Sequence, residues 1–214
     1  MRANAKPLIA AAAVLVAVLL AGLVYFLIDR AQTPDPAPAS LIRSDTHVLD
    51  DGGVDAVTVV EFLDFECEAC GAYYPVVEEL REKYAERITY AVRYFPLPGH
   101  FNSTHAAVAA EAAAQQGRFE DMYHRLFETQ TEWGEAQESR ASLFRDYAAQ
   151  LGLDMTAYDT AVADPATEER VRSDFEEGRA LGVGSTPTFF VDGEPLVIER
   201  WNDLEAAIEA ALRG

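Results

Sequence analysis

VTVVEFLDFECEAC, residues 57–70, decides the fold of this chain. Its first nine residues are a nearly continuous run of β-branched and aromatic side chains. Such a run is typical of a strand buried on both faces in a parallel sheet. It ends in Cys67 and Cys70, the two cysteines of the chain. Apolar residues then recur at helical spacing, so the sequence predicts a helix that begins at the cysteine pair.

The chain on either side of this stretch predicts an α/β domain. Residues 88–97 form a second strand pattern, which completes a βαβ unit with a right-handed crossover. Residues 103–182 contain four helical patterns, the last of them opened by Asp164-Pro165 as N-cap and first helical residue. Strand character returns at residues 186–198, where Asp192-Gly193 signals a hairpin. A closing helix follows, with Asn202 placed to cap it.

The N-terminal segment predicts a membrane anchor. Residues 7–28 carry no charged side chain and would form a helix of about 33 Å, enough to cross a bilayer core. The positive charges before this span place residues 1–6 in the cytoplasm by the positive-inside rule. A cleaved signal peptide remains an alternative, although its small-residue cleavage site is absent next to the apolar run. Residues 29–44 form a Pro-rich linker, so the folded domain is expected outside the cell membrane.

Composition excludes some partners. The chain has 36 acidic and 17 basic residues, a net charge of −19 at neutral pH. This excess of acids argues against binding nucleic acid or an anionic membrane surface. The acids are spread along the predicted helices, which favours a solvated surface over an interaction tail.

The cysteine spacing points to redox chemistry. Cysteines three residues apart at a helix start lie on one face, close enough to form a disulfide. The helix N-terminus stabilises a thiolate at Cys67, which makes it the nucleophile, while Cys70 is expected to be buried and resolving. A structural staple would close too short a loop to add much stability. No cofactor is expected, because the two thiols are themselves the reagent.

A metal site is the other alternative for these residues. Zinc requires four ligands, and neither a second cysteine pair nor close histidines lie at suitable spacing near Cys67. The four histidines of the chain are His47, His100, His105 and His124. His100 and His105 flank a predicted loop-to-helix junction, with no acid at ligand spacing between them. We therefore expect no metal.

The cysteine motif, Pro75 in the following helix and the later Ser185–Val191 stretch together resemble the thioredoxin fold. The helical insert between the two halves resembles the DsbA-like family of thiol:disulfide oxidoreductases. The resemblance covers residues 45–214. It implies a first thioredoxin half at residues 45–102 with the Cys-x-x-Cys motif, the insert at 103–182, and a second half at 183–214 with the cis-proline loop.

The same resemblance implies roles for three further residues. Pro187 matches the family's cis-proline, and the backbone of Thr186 matches the position that pairs with a substrate peptide. Glu61 matches a buried acid beneath the disulfide, where a raised pKa would let it accept the Cys70 proton. The alternative for Glu61 is an acid that reaches solvent at a strand end.

The residues around the cysteines depart from the family. Glu66 and the Glu68-Ala69 dipeptide place negative charge beside Cys67, which is expected to disfavour the thiolate by about one pKa unit. Such a change implies a milder oxidant than the most oxidising family members. Four aromatic residues near the motif either line a peptide groove or pack in the core. They are Phe62, Phe65, Tyr73 and Tyr74.

The expected function is disulfide formation in exported proteins by a membrane-anchored extracytoplasmic enzyme. Substrates are exported proteins with free thiols or disulfides, and a separate membrane protein is expected to recycle the thiols, since the chain has no second cysteine pair. Reduction or isomerisation of disulfides is the main alternative. A non-catalytic peptide-binding module or chaperone, or a thiol-based metal carrier, would be a different class of protein.

Overall fold

The computed structural model describes residues 41–214 of the chain. These residues hold a sheet with strand order β1-β3-β2-β4-β5. The strands are β1 (His47–Asp50), β2 (Val57–Leu63), β3 (Ile88–Tyr94), β4 (Thr188–Val191) and β5 (Glu194–Leu196). The central pair β2 and β3 is parallel, and the other neighbours are antiparallel.

The predicted membrane span at residues 7–28 and the linker up to residue 40 lie outside the described residues. Within residues 41–214, no helix combines the length and apolar character needed to cross a bilayer.

The central strand β2 is buried on both faces, as its composition predicts. Val59 and Leu63 belong to one core cluster, whereas Val60 and Phe62 pack in a second cluster. A largely apolar strand suits this position because neither face meets water. Packing on both faces therefore fixes the carboxyl end of β2, after which the cysteine motif begins.

Two helices complete the thioredoxin-like part. Helix α1 (Glu68–Lys83) follows β2 directly and runs through Pro75, and α8 (Asp203–Ala211) closes the chain. Asn202 is the N-cap residue of α8, as predicted, but its side chain makes no capping hydrogen bond. The carboxylate of Asp203 instead accepts hydrogen bonds from the backbone N–H groups of Glu199 and Arg200.

The insert between β3 and β4 contains six helices in the described chain, where four patterns were predicted. They are α2 (Ser103–Ala114), α3 (Phe119–Glu128), α4 (Gln130–Trp133), α5 (Ala141–Gln150), α6 (Met155–Ala163) and α7 (Pro165–Ala180). Asp164 caps α7 as predicted, since its carboxylate accepts from the Ala166 N–H. The sequence missed α4, which is a single turn, and α6, whose start is fixed by Asp154 as N-cap.

Buried charges attach the insert to the sheet. Arg93 of β3 is fully buried, and its Nε donates to Asp174 of α7 at 2.6 Å. Asp174 also accepts from the backbone N–H of Tyr94 at 3.2 Å and from Arg43 at 2.9 Å. Since every charge in this cluster has a partner of opposite sign, the last insert helix is locked against the strand that precedes the insert.

Candidate active site

The two cysteines lie where β2 passes into α1. Cys67 is the N-cap residue of α1 and Cys70 lies in its first turn. The Cys67 N–H donates to the Asp64 carbonyl at 3.1 Å, and the Gly71 N–H donates to the Cys67 carbonyl at 3.0 Å. Both are free thiols, 6% and 1% exposed respectively. Both thiols are therefore buried, and Cys67 is the more exposed of the two.

The two thiols differ sharply in acidity. A hydrogen bond from Cys70 outweighs burial and lowers the pKa of Cys67 to about 6, with help from Thr186 and from the backbone of Cys70 and Ala69. Burial, the Cys67 thiol and the charge of Glu61 raise the pKa of Cys70 well above its usual value. Cys67 is therefore a thiolate at neutral pH, and Cys70 is a thiol that needs a base to react.

Thr186 and Pro187 face the first thiol across the site. The Thr186–Pro187 peptide bond is cis. In its protonated form, Cys67 donates from Sγ to the Thr186 carbonyl at 3.4 Å. The buried Thr186 hydroxyl has no hydrogen-bond partner among the described residues. It is thus an available donor for a sulfur anion at Cys67.

Glu61 lies buried on β2 beneath the cysteines. Burial, opposed by a hydrogen bond from the Tyr90 hydroxyl and assisted by the charges of Glu78 and Cys67, raises the pKa of Glu61 to about 7. The alternative of a carboxylate reaching solvent is excluded by its 3% exposure. A carboxyl group with this pKa exchanges protons at physiological pH, as a base for Cys70 must.

The carboxylate of Glu66 is directed to the insert. It accepts hydrogen bonds from the backbone N–H of Asn102 at 2.6 Å and of Glu135 at 3.1 Å. Burial raises the pKa of Glu66 in spite of these bonds. Glu68 is exposed and interacts with the Glu135 side chain. The suggested tuning of Cys67 by Glu66, Glu68 and Ala69 stays a prediction, and Glu66 gains a structural role that the sequence did not reveal.

Asp64 is a second anchor next to the cysteines. Its side chain is fully buried and accepts from His100 Nδ1 at 2.6 Å, from the Leu97 N–H at 3.0 Å and from the Ser103 hydroxyl. Its other contact is the N–H of Glu66 at 2.9 Å. One carboxylate therefore joins the cysteine loop to the segment that enters the insert.

Gln130 of α4 supports the cysteine loop from the other side. Its side-chain amide donates to the carbonyls of Phe65 and Cys67, each at 2.8 Å. Gly71 makes room for it, because a Cβ at that position would collide with the Gln130 Oε1. The single-turn helix missed by the sequence thus fixes the backbone of the first cysteine.

A groove opens beside the cysteines and the cis-proline. It is a cavity of about 450 Å³ whose lining includes Ala69, Tyr73, Pro187 and Trp201. The Trp201 ring is 61% exposed and stacks on Tyr73, with ring centroids 5.4 Å apart. An exposed aromatic surface next to the thiols suits an extended peptide with apolar side chains.

The structure brings the predicted residues Glu61, Cys67, Cys70, Thr186 and Pro187 to one place. Of the four aromatic residues near the motif, Phe62 and Phe65 pack in the core and the partly buried Tyr74 packs against it, whereas Tyr73 also lines the groove. Sequence reasoning missed the contributions of Asp64, Tyr90, His100, Gln130 and Trp201. Of these contributions, only that of Gln130 could have been inferred from the sequence. Gly71 lies just inside a helix, where a glycine can indicate that another side chain packs against the backbone. No group of three or more metal-binding side chains occurs within residues 41–214.

The sequence matches one protein-family model and a set of curated proteins. A family model described as thioredoxin matches residues 52–210. The Na⁺/H⁺ antiporter NhaA 1 of Mycobacterium sp. (strain KMS) is 34% identical over 79% of this chain and 28% of its own length. The antiporter NhaA 3 of Salinispora tropica is 40% identical over 64% of this chain and 20% of its own length. The chain thus spans less than a third of these curated relatives.

Solved structures share the fold at low identity. The alpha-DsbA1 protein of Wolbachia pipientis has a TM-score of 0.69 at 19% identity, covering 80% of this chain and 93% of that one. BdbD of Bacillus subtilis has a TM-score of 0.68 at 20% identity over 79% and 94%. MdbA of Corynebacterium diphtheriae, described as a thiol-disulfide oxidoreductase, has 0.63 at 22% over 83% and 98%. The fold expected from the resemblance to the DsbA-like family is confirmed.

Proposed function

Because the chain belongs to the thioredoxin family, we propose that it is a thiol:disulfide oxidoreductase that acts through Cys67 and Cys70. The observation that carries the proposal is the contrast between the two thiols. Cys67 has a pKa of about 6 and is the more exposed of the two thiols. Cys70 is almost fully buried, and burial, the Cys67 thiol and the charge of Glu61 raise its pKa. A nucleophile paired with a resolving thiol and a buried base is the arrangement that thiol–disulfide exchange requires.

In the oxidising direction, a substrate thiolate attacks the Cys67 sulfur of the Cys67–Cys70 disulfide. The bond between the cysteines breaks, and Cys70 leaves as a thiolate that takes a proton from Glu61. A second substrate thiolate then attacks the substrate sulfur of the mixed disulfide and displaces Cys67. The substrate gains a disulfide and loses two electrons, and the enzyme ends as the dithiol.

The groove at Trp201 and the Thr186 backbone favour peptide substrates. An extended chain that lies along the cis-proline loop would place its cysteine against Cys67, and its neighbouring side chains would contact Tyr73 and Trp201. The free hydroxyl of Thr186 would donate to the Cys67 thiolate when it leaves.

We propose oxidation as the physiological direction, with reduction or isomerisation as the alternative. The low pKa of Cys67 supports oxidation, because a stabilised thiolate favours the reduced enzyme and so the transfer of its disulfide. The membrane anchor at residues 7–28, the extracytoplasmic position of the domain and a membrane partner that recycles the thiols remain part of the proposal. The region similar to the antiporters is a minor part of them, so we do not propose antiport for this chain.

The test is the reduction potential of the full chain, purified in detergent and equilibrated with glutathione before the free thiols are mass-tagged. A potential towards about −120 mV supports an oxidase, and one near about −270 mV indicates a reductase. Cys70→Ser should trap a mixed disulfide when its Cys67 thiolate attacks a disulfide-bonded peptide and displaces one peptide thiolate, whereas Cys67→Ser should trap none. Binding and function that survive Cys67→Ser would instead identify a peptide-binding module.

A further inference from the structure

One histidine is bound to an acid that precedes the cysteine motif. His100 follows β3 in the segment that leads to α2, and its Nδ1 is 2.6 Å from the fully buried carboxylate of Asp64. Asp64 lies three residues before Cys67, and its backbone carbonyl accepts the Cys67 N–H at 3.1 Å. The same acid therefore holds both the histidine and the backbone of the nucleophile.

The segment around His100 is fixed at both ends by the acids that precede Cys67. Asp64 accepts from the Leu97 N–H at 3.0 Å and from the Ser103 hydroxyl, and Glu66 accepts from the Asn102 N–H at 2.6 Å. Residues on both sides of His100 are thus bound to the cysteine loop. The position of His100 relative to Cys67 is set by side-chain contacts and does not depend on the exposed part of the loop.

The charges around His100 are mostly negative. Those on the cysteine loop and its surroundings are Asp64, Glu66, Cys67, Glu68 and Glu135. From α7, Glu168 and Arg172 line a cavity of about 270 Å³ that His100 also lines. Burial alone would lower the pKa of His100, but the hydrogen bond and charge of Asp64, with the charges of Cys67 and Glu66, raise it. The imidazolium thus persists to higher pH than in water.

The residues between the two cysteines, Glu68 and Ala69, provide no cation. We propose that His100, held by Asp64, supplies the positive charge that favours the Cys67 thiolate. This inference rests on the proposed exchange function and names the residue that regulates it. His100 is a positioning residue, because it acts on the reaction through Cys67. Three neutral donors also contact the Asp64 carboxylate, namely the N–H groups of Glu66 and Leu97 and the Ser103 hydroxyl, so His100 is one of four groups that hold it.

The first experiment compares His100→Gln with His105→Gln. A glutamine at position 100 retains an N–H for Asp64 but carries no charge, and His105 is an exposed histidine in the first turn of α2. We expect His100→Gln to decrease the acid dissociation constant of Cys67 about tenfold, measured by ultraviolet absorbance of the thiolate against pH. The disulfide should become about tenfold less oxidising, which corresponds to about 30 mV. His105→Gln should match the wild type, and His100→Lys should restore an acidic Cys67.

A second measurement needs no variant at the site. Two charged groups shift each other's pKa by the same amount. The His100 pKa should therefore fall when oxidation removes the Cys67 thiolate. An NMR titration of the wild-type histidines in the dithiol and disulfide forms measures this change. An unaltered Cys67 titration in folded His100→Gln, or an equal His100 pKa in both redox forms, overturns the inference. If the wild type shows no reversible couple, the exchange function fails, while the thiolate titration still decides the role of His100.

Discussion

Among single residues, the buried Glu61 destabilises the fold when it is ionised, and it is also the proposed proton-transfer group for Cys70. Its folded pKa of about 7 exceeds the ordinary value of 4.5. Between these values the folded chain holds a proton that the unfolded chain has released. Stability linked to this group is therefore complete below about pH 4.5 and is lost as the pH rises to about 7. A carboxylate retained at this position is better explained by proton transfer than by stability.

The first prediction concerns Glu61→Gln in the dithiol form. The variant should be more stable than the wild type above about pH 7, by on the order of 3 kcal/mol, and nearly equal to it near pH 4.5. Denaturant unfolding at several pH values measures the difference. Cys70 should at the same time attack a mixed disulfide about a hundredfold more slowly at neutral pH, because its base is missing.

Tyr90→Phe provides the matched control for this prediction. It keeps the carboxylate of Glu61 but removes the hydrogen bond that lowers its pKa. The pH at which stability falls and the resolving step accelerates should therefore move upward instead of disappearing. A stability difference between Glu61→Gln and the wild type that does not vary with pH would contradict the assignment of the buried proton.

At the scale of elements, the cysteine helix and the single-turn helix α4 are fitted to one another at Gly71 and Gln130. A methyl group at position 71 would displace the Gln130 amide, which holds the carbonyls of Phe65 and Cys67. Gly71→Ala should therefore lower the free energy of unfolding by about 1–3 kcal/mol, since buried carbonyls lose their donor. Urea unfolding measures this loss.

A double-mutant cycle separates the clash from helix propensity. Gln130→Ala alone removes the donor, so the double variant with Gly71→Ala should be no less stable than Gln130→Ala itself. Gly184→Ala is the control, because a Cβ there meets no atom within 4 Å. Additive effects of the two changes would show that Gly71 is not retained for Gln130.

Some helices and strands could be predicted from the sequence, and others could not. A nearly continuous apolar run predicted β2, a second strand pattern predicted β3, and helical spacing predicted α1. The Asp192-Gly193 turn signal predicted the hairpin. Helix α6 was missed because its start depends on a cap, and α4 because one turn carries no period. Glu61, Cys67 and Pro187 were predicted from local motifs and from family resemblance. The roles of His100, Gln130 and Tyr90 depend on contacts between distant segments, which no single stretch of sequence contains.

At the scale of the whole molecule, a buried charge cluster joins the two parts of the described chain. Asp174 accepts hydrogen bonds from Arg93, which is fully buried, and from Arg43, and it forms an ion pair with Arg170. Asp174→Asn should lower the free energy of unfolding by about 3–5 kcal/mol, because Arg93 would remain buried with less compensating charge. Thermal or urea unfolding checks the value. Glu169→Gln, which removes an exposed partner of Arg172 on the same helix, should change stability little.

The same cluster predicts which segment would become less stable in Asp174→Asn. Because Asp174 binds the backbone N–H of Tyr94 at the end of β3, its replacement should loosen the segment that carries His100. Hydrogen exchange at residues 95–103 should therefore quicken in Asp174→Asn and stay unchanged in Glu169→Gln. Equal exchange in both variants would mean that the insert and the rim of the active site are independent.

The contacts of Asp64, Glu66 and Gln130 have a consequence for protein engineering. A graft of residues 64–70 onto another thioredoxin scaffold would carry both sulfurs but leave behind the partners at positions 97–103 and 130. Asp64 and Glu66, the two buried acids of the graft, would then lack these partners. Transfer of these seven residues alone would therefore not reproduce the reactivity of the motif. A functional graft would also need the segment 97–103 and the single-turn helix α4.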